Sequence, residues 1–290
     1  MEFRQQASRR ISLSLRDNFS ISPTTDLVEV AGVPFTRTGT RQNDLNASMT
    51  SALTKTIQLT GSYHFQWVEF DNSDQSVSAL LQGGRAHSAT IRAHKALNSR
   101  LRLGGTYGAR RAKTGPAAGA EDFTIQDAQA TVSYELGATL SMEGGLGISH
   151  LALPEPEGAR TGPAGHVFIR KQTEYARFLL SATRSYVPAF GFGGSLANQE
   201  VTGSVHVPFW RNRAYSSGSV TWRQTDTVFP GEVGVKSIWV QTTLAYFFQA
   251  WLRVEGFYNG SFQDSSLPGG RVDRNQIGVH IVSAHPMRLQ

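Results

Sequence analysis

Cysteine is absent from this chain of 290 residues, which excludes disulfides, thiolate metal sites and thiol nucleophiles together. Long apolar runs are missing as well. Hydrophobic residues make up 39% and the mean hydropathy is −0.28. No stretch approaches the roughly 18–20 apolar residues of a transmembrane helix, and even Tyr246-Phe247-Phe248 is cut short by Gln249. The opening residues, Met1 to Arg10, lack the apolar segment of a secretory signal peptide. The net charge is +6 with a pI near 9.8, but the arginines are scattered along the chain. A nucleic-acid surface would gather them on one face.

What is present is a period of two. Ile57, Leu59, Gly61, Tyr63, Phe65 and Trp67 share one face of a strand, and Gln58, Thr60, Ser62, His64 and Gln66 share the other. The pattern holds for about eleven residues, enough to cross a bilayer at a tilt. It returns at Leu101–Tyr107, Ala128–Tyr134, Leu140–Ile148, Val201–Val207, Leu252–Phe262 and Ile277–Ile281. A soluble sandwich also alternates, but rarely with such regularity on its outward face. Such a sheet, closed on itself, satisfies every backbone N–H and C=O without a free edge, as lipid requires. Its average hydropathy is modest by construction, because only alternate residues meet lipid.

The connections alternate too. Tight ones fall near Thr54-Lys55, Asn98-Ser99, Leu136-Gly137, Lys171-Gln172, Phe209–Asn212 and Gln249-Ala250. Long ones, rich in Gly and Pro, fall near 22–41, 70–84, 112–121, 151–164, 188–197, 225–234 and 264–273. Between Ile11 and Met287 this predicts fourteen strands. One hairpin more or fewer gives sixteen or twelve. The expected fold is therefore all-β: an up-and-down antiparallel transmembrane barrel, one domain over 1–290, with both ends at the short-turn side. Tyr63, Phe65, Trp67, Tyr107, Tyr134, Trp222, Tyr246, Phe248, Tyr258 and Phe262 lie on the apolar face, where interfacial girdles place amphipathic rings.

The polar face would line a lumen. Its expected members are Arg92, His94, Arg100, Arg102, Arg110, Glu135, Glu143, Arg177, His206, Arg223, Arg253, Glu255 and Arg274. Basic groups outnumber acids among them. That leaves two readings open: a ring that favours anions, or a wall of mutually screened ion pairs. On the first, Arg102 and Arg253 carry the selectivity, and the long loops 22–41 and 70–84 fold inward as gates. No enzyme is expected. His64, His94, His150, His206 and His280 sit in separate strands, and neither an HExxH pair nor an EF-hand ladder is present, so no metal or cofactor is expected. Gly191-Phe192-Gly193-Gly194 lacks a strand–helix unit around it and reads as a bent loop.

Arg37-Thr38-Gly39, Leu81–Gly84, Phe190–Gly194, Val254–Tyr258 and Gly269–Val279 resemble the loop and strand phrases of outer-membrane β-barrel porins associated with bacterial exopolysaccharide secretion. The likeness spans most of the chain. It implies residence in the outer membrane, with lipid as a partner, and a channel for polysaccharide or an anionic solute working with periplasmic export components. The chain departs from the usual pattern at Met287-Arg288-Leu289-Gln290, where many outer-membrane barrels end in an aromatic residue. The alternatives are a plugged, adhesive barrel with ligand-binding loops and a membrane hydrolase. The pore reading needs a sealed cylinder, with hydrocarbon outside and water within.

Overall fold

Each period-two segment becomes one rung-matched strand. The computed structural model describes residues 2–22, 39–71, 83–115, 121–153, 158–190, 194–211, 213–228, 234–249, 251–265 and 270–283. The strands are β1 (Glu2–Gln6), β2 (Ile11–Ser22), β3 (Thr40–Ala52), β4 (Ile57–Phe70), β5 (Gly84–Ala96), β6 (Leu101–Thr114), β7 (Glu121–Glu135) and β8 (Leu140–Ala152). There follow β9 (Ala159–Gln172), β10 (Arg177–Pro188), β11 (Ser195–Phe209), β12 (Ala214–Thr227), β13 (Val235–Gln249), β14 (Leu252–Ser265) and β15 (Val272–Ser283). They form one antiparallel sheet in simple chain order. Among the described residues no helix is long and apolar enough to cross a membrane.

Among the described residues there are fifteen strands where the pattern predicts fourteen. The extra one is β1, which pairs with Ser12–Arg16 of β2. Its sequence, Glu-Phe-Arg-Gln-Gln, has a single apolar side chain and so carries no alternation to detect. With β1 counted, the described chain sets out from the long-connection end, not from the short-turn end. Among the described residues no ladder joins β15 to β1 or β2, so the cylinder required by a pore is not sealed by a pairing there. In this alternation β15 runs parallel to β1 and antiparallel to β2. An antiparallel seam would therefore join β15 to β2 and set β1 aside.

The register settles which side chains meet which medium. One outward row runs Leu13–Met49–Gly61–Ile91–Tyr107–Ala128–Ile148 across β2 to β8. Another runs Ile169–Leu180–Gly203–Val220–Val240 across β9 to β13. Neither row holds a charge. Their members are open to the surroundings, with Ile91 at 58% and Ile148 at 57% exposure, and so much contiguous apolar surface marks a membrane or an interface. Charges return on this face toward the long connections, where Arg111 grips Asp122 through two hydrogen bonds. Nine of the ten girdle aromatics expected on the apolar face lie on this outward face by register, and Phe248 sits in a bulge.

At two points of the inner face the strands approach closely. Gly104 and Gly147 sit where an added Cβ would overlap the Ala93 and Ala128 carbonyl oxygens of neighbouring strands. Only glycine permits that approach. Gly147→Ala is expected to cost about 1–3 kcal/mol, the usual penalty of forcing extra atoms into a packed site. Urea unfolding in lipid vesicles measures it, and a variant as stable as the parent would show that stability does not depend on this contact.

Candidate functional site

The inner face divides into a polar floor near the short turns and an apolar ceiling near the long connections. On the floor the arginines expected there find acids. Arg92 bridges to Glu143 at 3.2 Å and Arg102 to Glu135 at 2.9 Å. Arg253 pairs with Glu255 there, while Arg223, nearer the long connections, reaches Glu200 at 2.6 Å. Arg92 and Glu143 are on β5 and β8, three strands apart, roughly 14 Å in a flat sheet at 4.7–4.9 Å per strand. Only the concave bend brings them together. The more exposed of these pairs, Arg102 with Glu135, contributes little to stability, but all four cancel charge that would bias a lumen. Arg102 and Arg253 are thus each opposed by an acid.

The other expected positions sort as follows. His94 lies on the inner face over Gly104. Half-buried Arg110 donates from Nε to the Ser88 hydroxyl at 3.0 Å. Arg274 faces inward opposite Ser261. Arg177 and His206 are direct cross-strand neighbours. Arg100 is a correction: it falls in the exposed turn between β5 and β6, whose Asn98 carboxamide caps the Arg100 backbone N–H at 2.8 Å. The Arg100 carbonyl still accepts from the Glu135 N–H at 2.9 Å, so the residue sits at the rim of the sheet and outside the strand proper. Most of the two gating loops expected at 22–41 and 70–84, and residues 191–193 of the glycine-rich loop, lie outside the described residues.

The ceiling contradicts a uniformly polar lumen. Val68, Phe70, Ala86, Ala112, Phe123, Ile125 and Leu151 point inward from β4 to β8 and form a buried cluster with Phe190, from the connection between β10 and β11. Phe190 is 1% exposed and Ala189 fully buried. The reason is a parting of strands. β10 pairs with β9 only from Arg177 to Arg184, whereas it stays with β11 as far as Pro188. Its last four residues leave the wall, and Tyr186 packs against the cluster. Gly194, at φ 71°, then donates its N–H to the Thr114 hydroxyl at 2.9 Å, eighty residues away in sequence. The end of this hairpin thus folds across the concave side and closes it over β4 to β8.

Among the described residues, no three acidic or histidine side chains converge as a metal site would require. The described hydrogen-bond partners of the histidines are Asp44 for His64, Tyr63 for His87, Thr161 for His150 and Gln129 for His166. None is a serine.

The sheet order, the outward apolar belt and the inward hairpin can be set beside known proteins. No family model and no curated protein matches the sequence. Solved structures do match. The FrpB iron transporter from Neisseria meningitidis aligns over 90% of this chain and 50% of its own, at 13% identity and a TM-score of 0.54. The alcaligin outer membrane receptor FauA from Bordetella pertussis aligns over 99% of this chain and 56% of its own, at 11% identity and a TM-score of 0.51. The fold is that of a bacterial outer-membrane β-barrel. The chain spans about half the length of either protein. These likenesses support the barrel and lend no support to the exopolysaccharide-associated family.

Proposed function

We propose that this chain is a non-enzymatic transport barrel of the bacterial outer membrane, governing passage of a small solute with a movable constriction at its long-connection end. Hydrocarbon meets the uncharged outward rows, the long connections face outside and the short turns face the periplasm. The observation that carries the reading is the β10–β11 hairpin, which leaves β9 to seal an apolar cluster on the inner face. A hydrophobic constriction excludes water and ions until it is pulled apart. The fold likeness to an iron transporter and an outer membrane receptor supports a transport role. Export of polysaccharide has only the sequence phrases in its favour and forms no part of the proposal.

A permanently plugged barrel that binds ligands by its loops is the second reading, and the same buried cluster favours it. The first experiment is fractionation with planar-bilayer recording. The protein is expected in the outer-membrane fraction, soluble only with detergent, and nearly silent in bilayers as the parent chain. Monodisperse behaviour in water without detergent, or a large steady conductance, would overturn the gated barrel.

A further inference from the structure

We propose that the inner face of β9 to β12, close to the short turns, binds a small polyanion whose charge sits on carboxylate or phosphate oxygens, clamped between Arg170 and Arg177. Two neighbouring cross-strand rows build the site. One runs Arg177–His206–Ser217 across β10, β11 and β12. The other runs Arg170–Leu179–Ser204–Ser219 from β9 to β12. They line one recess of about 340 Å³, at the small end of the roughly 300–1,000 Å³ typical of ligand pockets.

The charge balance separates this recess from the acid-paired arginines of the same face. Arg92, Arg102, Arg223 and Arg253 each have an acid; Arg170 and Arg177 have no ion-pair partner among the described residues. The acids on this side of the sheet are engaged elsewhere. Glu143 is shared by Arg92 and His166, Glu200 is held by Arg223, and Glu255 is held by Arg253 and the Tyr215 hydroxyl. Exposed Glu174 stands in the turn between β9 and β10.

Arg170 lies opposite Leu179, two residues from Arg177 on the same face, so the arginine stems are diagonal neighbours at roughly 7–8 Å. Two guanidinium groups so placed repel each other until an anion sits between them. Their planar forks suit bidentate capture of carboxylate or phosphate oxygens, and serine hydroxyls add donors beside them. His206 is held by the Tyr215 ring, at 5.0 Å between centroids. Both arginines are exposed, so a ligand from the aqueous side reaches them directly.

The site rests on the proposed transport reading only in requiring water along the inner face. Calorimetric titration of the detergent-folded chain with inorganic phosphate, and separately with citrate, tests it. At least one is expected to bind, and the pair Arg170→Gln with Arg177→Gln is expected to weaken that binding at least tenfold. Arg102→Gln, outside the recess, is expected to leave it within twofold. A double variant that keeps the parent's heat-modifiable migration yet binds as the parent does would overturn the clamp, as would a parent that binds neither anion. Transport failure leaves a separate mark: anion binding would persist in a chain that never conducts, even with its constriction opened.

Discussion

Phe190→Asp is expected to turn a nearly silent barrel into a conducting one, with single-channel conductance in planar bilayers rising roughly tenfold or more. Phe190 is 1% exposed within the apolar cluster on the inner face. A carboxylate there would have no partner, and burying an unpaired charge costs several kcal/mol. Besides Phe190, the hairpin end is held by the packing of Tyr186 and the buried Ala189 and by one hydrogen bond. The bond from the Gly194 N–H to the Thr114 hydroxyl contributes about 0.5–1.5 kcal/mol. The balance therefore favours release of the hairpin toward β9, whose upper half has no partner in β10. The rest of the ladder is untouched, so heat-modifiable migration is expected to stay like the parent's. If conductance remained at the parent level in a folded variant, the barrel would be shut elsewhere, and the plugged, ligand-binding reading would replace the gated one.

Glu200→Gln is expected to destabilise the barrel by up to about 3–5 kcal/mol, because it removes the negative charge set against the guanidinium of Arg223. The Arg223 side chain is only 8% exposed. It donates from Nε to Glu200 at 2.7 Å and lies over the Trp239 ring at 4.5 Å. The cation–π contact compensates for part of the lost pair, at about 2 kcal/mol or less. Replacing both members at once, Glu200→Leu with Arg223→Met, removes the buried charge and its partner together and is expected to be near neutral. Urea titration in lipid vesicles separates the two cases. A loss below about 1 kcal/mol in the single variant would mean that water reaches Arg223 and solvates it, which sets the ordinary value for exposed pairs.

Alternation is a local property, and it was fully legible. From Ile57 to Trp67 no distant residue is needed to tell which side chain takes which face, and the register agrees throughout β4. Turn chemistry was nearly as clear. The tight connection expected at Lys171-Gln172 lies at 173–176, a small slip where Glu174 and Arg177 blur the pattern. β1 escaped detection because polar Arg4, Gln5 and Gln6 around a lone Phe3 leave nothing to alternate.

The candidate site was less legible. Residue numbering shows that Arg102 and Glu135 both face inward, but only the pairing of Arg102 with Ser133 places Glu135 within reach. Arg170, now central to the anion site, looked like one polar residue among many, since nothing in the sequence marks which arginines lack an acid. Phe190 falls in the long connection expected at 188–197, and nothing local marks it as a core residue, because its partners come from five strands earlier in the chain.

What the amino-acid order determined alone is a repeating two-faced strand, its approximate count and its greasy outward belt, since each depends on neighbours one or two residues apart. The tertiary structure decided which charges are cancelled, where the wall parts and what fills the concave side. Those outcomes depend on register and curvature, which join residues tens of positions apart and leave no trace in local spacing.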